Sequence, residues 1–395
     1  MNSLPQIVMI ADDLSGAADC AVSCAVQGLS TVVALSEAPA SQPTQVLAID
    51  AATRSMPSER AAATIERIVA PFQSARPRVL FKKLDSLLRG HVGPELVAMR
   101  GSRNPAVIVM APALPAQGRA TIDGCVWLNR QRLDAADAPK MLTSAGLTAA
   151  AIDLALVRQA QQLAPKMAEL ARQHDALICD AETEEDLRSI AAAIVAMPHA
   201  GWDGSIIWAG SSGLARHIPS AMGIVGASDP IEEPRFRGPI LLVVGSRTPL
   251  AREQVYEAGQ IEGITTVSLT PETLRACRGS EIDNALASGN DVIAVIDASA
   301  EAAEDPYLCS ALALLTSPHT DKVGALIATG GETARAVLTA WDITSLRLLR
   351  EIEPGVPLAI SAGARQIPVI TKSGSFGNRA TLAHCVKGLR GLKLE

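Results

Sequence analysis

The chain has 395 residues, 48% of them hydrophobic, enough for two or three cores at the usual domain size of about 100–200 residues. Its 35 basic and 41 acidic residues leave a net charge of −6, and only 3% of residues are aromatic, which argues against a general nucleic-acid binder. No apolar run approaches the roughly 18 residues of a membrane span, and no basic stretch followed by a long apolar one opens the chain. The expectation is a soluble cytoplasmic protein with neither membrane nor nucleic-acid partners, its state as a homo-oligomer left open.

In chain order, Ile7-Val8-Met9-Ile10 reads as a buried strand and Cys20 to Val26 as a helix. Between them lies the acidic turn Ala11-Asp12-Asp13-Leu14-Ser15-Gly16. Two adjacent carboxylates therefore end a first parallel strand, on the edge where open α/β sheets bind ligands. Carboxylates there can hold a metal, orient a hydroxyl or take its proton. A strand at Val46–Asp50 runs into Ala51-Ala52-Thr53-Arg54, and a helix follows over 58–72. A strand over 78–84 runs into Lys82-Lys83-Leu84-Asp85-Ser86-Leu87-Leu88-Arg89-Gly90, and one over 106–110 leads to Pro115-Ala116-Gln117-Gly118-Arg119.

A helix over 153–173, a strand over 176–180, a helix over 184–197 and a strand over 205–209 complete the first half. Gly210-Ser211-Ser212-Gly213 lacks the GxSxG order of a nucleophile elbow and reads as a capped helix start. The proline- and glycine-rich stretch 223–239, with Asp229-Pro230 and Glu232-Glu233-Pro234, reads as a linker. Alternation resumes with strands at 240–244, 291–297, 323–328 and 367–371 and helices at 249–259, 302–315, 332–341 and 378–389. The expected architecture is α/β: two domains, 1–225 and 239–395 around a 226–238 linker. Each has a mainly parallel sheet flanked by helices, with an active-site cleft between the domains.

Four strand ends in the first domain bring Asp12, Asp13, Arg54, Lys82, Lys83, Asp85, Arg89 and Arg119 toward one polar site. Guanidinium forks suit a carboxylate or phosphate. The lysines alternate on a strand, so one of them faces the site. Asp85 and Arg89, four apart, could equally form a plain ion pair. In the second domain, Gly245-Ser246-Arg247-Thr248-Pro249, Thr329-Gly330-Gly331-Glu332-Thr333 and Lys372-Ser373-Gly374-Ser375-Phe376-Gly377 each join a strand to a small-residue turn. Glycine lets backbone approach an anion and helix amino ends offer free N–H groups, so three such turns would make a phosphate cradle. No GxxxxGK[ST] loop or GxGxxG fingerprint occurs. The seven cysteines and six histidines show no metal-ligand spacing and read as reduced thiols and packing or surface imidazoles.

The ordered set of these motifs, from Ile10-Ala11-Asp12-Asp13-Leu14-Ser15-Gly16-Ala17 through Phe81-Lys82-Lys83-Leu84-Asp85-Ser86-Leu87-Leu88-Arg89-Gly90, Ala111-Pro112-Ala113-Leu114-Pro115 and Gly330-Gly331-Glu332-Thr333-Ala334 to the 372–377 turn, resembles the four-carbon acid sugar kinase family. The resemblance implies a sugar-acid-binding first domain, a nucleotide-binding second domain, and ATP with Mg²⁺. The implied reaction is phosphorylation of the 4-hydroxyl of threonate, erythronate or 3-oxo-tetronate. By the same resemblance Asp12, Arg54 and Lys82 to Asp85 hold the acid, and Ser246, Gly330, Gly331, Glu332, Thr333 and Gly374 hold ATP. Asp13 or Asp85 would accept the hydroxyl proton, with Asp13 favoured and the metal ligands unassigned. A sugar-acid sensor without turnover, or a nucleotide-dependent oxidoreductase, are the rival readings.

Overall fold

A computed structural model describes residues 4–35, 43–74, 76–101, 105–226, 233–276, 279–297, 307–363 and 365–393. Residues 227–232 of the expected linker, 302–306 of the helix expected at 302–315, and Cys277 lie outside the described residues.

The strands in chain order are β1 (Ile7–Ala11), β2 (Thr31–Ala34), β3 (Val46–Asp50), β4 (Val79–Lys83), β5 (Ala106–Ala111), β6 (Arg119–Ile122), β7 (Cys125–Leu128), β8 (Gln131–Asp137), β9 (Ala149–Ile152), β10 (Ala176–Cys179) and β11 (Ser205–Gly210). They continue with β12 (Ile240–Val244), β13 (Ile264–Leu269), β14 (Asp291–Ile296), β15 (Ala325–Thr329), β16 (Ser345–Glu353), β17 (Val356–Ala362) and β18 (Pro368–Lys372). The expected α/β architecture of mainly parallel sheets flanked by helices is what the chain forms.

The chain divides into two compact units, Met1–Ser30 with Glu37–Ala227, and Thr31–Ser36 with Ser228–Glu395. In the first unit the strand order is β3-β1-β4-β11-β5-β10-β9, all parallel. Every residue of β1, β3, β4 and β5 is buried, as the continuous apolar runs of a sheet covered on both faces require. After β1 the chain reaches β3 on one side and later β4 on the other, so the carboxyl ends of β1 and β4 form a topological switch point.

In the second unit β13-β14-β12-β15-β18 are parallel, and β17, β16 and β2 extend that sheet antiparallel. Here β14 and β15 flank β12 on opposite sides, giving a second switch point. One strand departs from the contiguous segments read from sequence: Thr31–Ala34 belongs to the second unit, where Ala34, Val33 and Val32 pair with Ser345, Leu346 and Arg347. The core of this unit gathers Leu242, Val244, Ile293, Ile327, Leu358, Ile370, Leu382 and Val386.

Two helices differ from expectation for reasons written in the chain. The stretch 58–72 breaks into Ser58–Val69 and Pro71–Ser74, because Pro71 cannot continue the first helix. The stretch 153–173 becomes Leu154–Val157, capped by Asp153, and Ala160–Ala171. A small antiparallel sheet β6-β7-β8 was not expected. It is tied down by the buried Asp180 carboxylate, which accepts from the amides of Asp123 (2.8 Å) and Gly124 (2.9 Å). Burial pushes this carboxyl up to about 6.

Candidate functional site

In the first unit the acidic turn begins where β1 ends. Asp13 caps the helix Leu14–Val26, its Oδ1 accepting from the Gly16 amide at 2.7 Å. Asp12 is buried and takes the Arg54 fork with both oxygens, from Nε and Nη2 at 2.8 Å each. Arg54 Nη1 donates to Asp13 Oδ2, and Nη2 lies 3.7 Å from Asp85 Oδ2. One guanidinium from the loop after β3 thus gathers carboxylates from the ends of β1 and β4. Local backbone supports it, since the Arg54 amide donates to the Asp12 carbonyl at 3.2 Å. Gly90 (φ +91°) crosses so close that a Cβ there would lie 2.8 Å from Asp12 Oδ2.

Asp85 is held bidentately by Arg89, at 3.0 and 2.6 Å, the plain ion pair that the four-residue spacing allowed. Arg119 reaches the same loop by donating to Ser86 Oγ, while its Nε is buried without a partner among the described residues. The lysines part company, as strand alternation requires. Lys83 Nζ donates to the Leu84 carbonyl at 2.8 Å and lies beside Gly16. Lys82 turns into the protein and pairs with Glu95 Oε2 at 2.7 Å, both fully buried. Sequence reading missed Glu95: it lies within the helix Val92–Arg100, in no motif, and only its burial marks it.

Burial opposes ionisation of Asp12, but the charges of Lys82 and Arg54 outweigh it and lower the carboxyl. Burial likewise opposes ionisation of Asp85, yet the Arg89 hydrogen bonds, with Arg54 and Lys83, hold it well below the usual carboxylate range. Burial lowers Arg119, with the Asp85 charge acting against it. At neutral pH Asp12 and Asp85 are ionised among the arginines, and the unengaged Arg119 Nε is a donor that an incoming anion could use.

In the second unit the turns after β12, β15 and β18 meet. A Cβ on Gly245 would collide with Thr333 Oγ1, and one on Gly374 with Ser246 Oγ. Gly330 takes φ +99° and lies against Ser246, starting the helix Gly331–Ala340 with no side-chain cap on its amino end. Ser246, Gly330, Gly331, Thr333 and Gly374 are therefore brought together, with Glu332 in the first turn of that helix. Thr248 Oγ1, capping the helix Pro249–Gly259, also donates to the Gly374 carbonyl at 3.0 Å. Backbone packed this closely, ending in an open helix amino terminus, is suited to phosphate oxygens.

Ser211 is no nucleophile: its hydroxyl caps a helix by accepting from the Gly213 amide and donates to the Ala113 carbonyl at 2.6 Å. Among the described residues no group of three or more His, Cys, Asp or Glu is arranged to hold a metal ion, and no helix is long and apolar enough to cross a membrane.

Residues 7–218 match the family model of a sugar-binding N-terminal domain, and residues 241–382 that of a nucleotide-binding C-terminal domain. The chain is 38% identical to a D-threonate kinase of Cupriavidus necator, over 95% of this chain and 96% of that one. It is 27% identical to a D-threonate kinase of Salmonella typhimurium, over 95% and 96%. Identity to a 3-oxo-tetronate kinase of Pseudomonas fluorescens is 25%, over 99% and 98%. A crystal structure of a Salmonella typhimurium LT2 protein shares the fold, with a TM-score of 0.79 at 20% identity over 97% and 99% of the two chains.

Proposed function

Because the chain belongs to the four-carbon acid sugar kinase family, we propose that it transfers the γ-phosphoryl group of ATP to the 4-hydroxyl of a four-carbon sugar acid, D-threonate first among them. The observation that carries this reading is the pair of switch-point sites: a buried carboxylate–guanidinium cluster in one unit and a glycine-lined turn cluster in the other. The preference for D-threonate rests on the relative at 38% identity.

In this reading the substrate carboxylate exchanges into the cation set of Arg54, Arg89, Arg119 and Lys83, while Asp12 accepts from the sugar hydroxyls. Lys82 acts from behind, through its charge on Asp12, rather than by contact. Asp13 takes the proton of the attacking hydroxyl as the O–P bond forms and the bond from phosphorus to the bridging oxygen of ADP breaks. Asp85 is the weaker candidate because its depressed pKa makes it a poor proton acceptor. The amino end of the helix Gly331–Ala340, with Ser246 and Gly374, holds the phosphates. Mg²⁺, when bound with the nucleotide, neutralises phosphate charge.

The test is an ADP-release assay with Mg²⁺ across D- and L-threonate, D- and L-erythronate and 3-oxo-tetronate. D-threonate should give the highest kcat/KM. Folded protein that binds one of these acids yet releases no ADP would support the sensor reading instead, and silence across the panel would remove the acceptor class.

A further inference from the structure

The turn that follows β18 is held from behind by groups the proposed chemistry does not use. Lys372 is 1% exposed, and its ammonium donates to the carbonyls of Ser373 (2.7 Å) and Phe376 (3.0 Å). Gln254, fully buried on the helix Pro249–Gly259, donates to the carbonyls of Phe376 (3.2 Å) and Asn378 (2.7 Å). With Thr248 on the Gly374 carbonyl, four carbonyls of one short turn accept from side chains. The amides of Phe376 and Asn378 are also engaged, by the Ser373 carbonyl (3.2 Å) and Thr381 Oγ1 (2.9 Å), so the part of this turn suited to meet an anion is the backbone N–H edge around Gly374 and Ser375. The same turn carries Gly374, whose backbone closes on Ser246.

We propose that Lys372 is a positioning residue for the nucleotide: it fixes the 373–378 turn so that Gly374 meets the phosphates, without touching them itself. The inference rests on reading the second unit as the ATP site. A lysine is an uncommon choice for a place this buried, where its charge is costly. Methionine would fill the same volume, so the donors are the part of lysine that the turn uses. Burial lowers Lys372 to about 8, against the opposing charge of Glu353 on β16; Cys385, on the helix Thr381–Arg390, also lies near it. Glu353 is itself engaged by Thr381 Oγ1 at 2.6 Å and by His384, and burial pushes the Cys385 thiol up to about 12. Lys372 therefore changes charge in a range where its neighbours Glu353 and Cys385 do not.

Isothermal titration of the full chain with ADP provides the test, alongside steady-state kinetics. Wild-type affinity for ADP should fall as pH rises through about 8, because neutral Lys372 keeps two donors but loses the charge that strengthens both carbonyl bonds. Lys372→Met should weaken ADP by about tenfold or more and abolish that inflection. Its KM for ATP should rise more than its kcat falls, and Lys372→Arg, which keeps charge and donors, should recover part of the loss. Gln254→Leu should weaken ADP while keeping the inflection, so the idea stays testable if Lys372→Met folds poorly. Folded Lys372→Met with wild-type affinity overturns the positioning role alone. Wild-type protein that binds no ADP overturns the ATP-site reading and this inference with it.

Discussion

Arg54 holds three carboxylates at once, and that arrangement sets how the first unit responds to acid. Folded Asp12 and Asp85 bind protons less readily than they do in the unfolded chain. The stability they contribute is fully present above the unfolded carboxylate value of about 4, and is lost as pH falls below it toward the folded values. Asp180, raised to about 6, works the other way, gaining a proton in the folded state as pH drops toward 5. Urea unfolding at about pH 7, 5 and 3 should show little loss between the first two and a clear loss at the third. Arg54→Met should shrink that final loss, and an unchanged acid limb in the variant would show that the cluster is not its source. The Lys82–Glu95 pair makes a separate claim. Both groups are buried, so Glu95→Gln leaves an ammonium without its counter-ion and should lower the unfolding free energy by about 3 kcal/mol. A loss under about 1 kcal/mol in the same melts would mean that the Lys83 and Ile10 carbonyls, with the Asp12 charge nearby, hold the Lys82 ammonium without Glu95.

At the scale of elements, the three turns of the second unit are fixed by contacts that leave no room for a methyl group. Gly374→Ala places its Cβ against Ser246 Oγ, so the turn or the serine must move. The core strands behind it are untouched, so we expect the KM for ATP to rise by about tenfold or more while Tm changes by only a few degrees. Equal loss of both would make Gly374 a folding residue. These turns were legible because each follows a continuous apolar run, such as Ile240–Val244, and opens a helix. The hairpins were not. Gln131–Asp137 is mostly exposed and carries four polar residues, and Ser345–Glu353 alternates polar and apolar residues on an antiparallel strand. Such stretches look like loops or helix faces until a partner strand is known. The same limit applies at the site. Asp12, Asp13, Arg54 and Asp85 could be grouped because each ends a strand of one sheet. The turning of Lys82 toward Glu95 depends on how the helix Val92–Arg100 packs, which no motif encodes.

For the whole molecule the decisive segment is β2. Sequence alone suggested two contiguous domains, because Thr31-Val32-Val33-Ala34 is too short to show its allegiance. The chain instead passes from the first unit to the second at residue 31, returns after residue 36, and passes over again after residue 227. Within the second unit β2 covers β16, through the pairs Ala34–Ser345, Val33–Leu346 and Val32–Arg347, and the Leu35 amide donates to the Thr344 carbonyl at 2.9 Å. Without it β16 would present unpaired backbone groups and the side of Leu346, an edge prone to pairing with other chains. A fragment spanning residues 233–395 should therefore associate or unfold more readily than the same fragment carrying a tethered copy of residues 31–35. Size-exclusion chromatography and thermal melts of the two fragments decide it. If the bare fragment is monomeric and melts as high as the tethered one, β2 is an ornament on that sheet. If only the tethered fragment is monomeric, the nucleotide-binding domain of this family member is completed by a strand encoded inside its sugar-binding one.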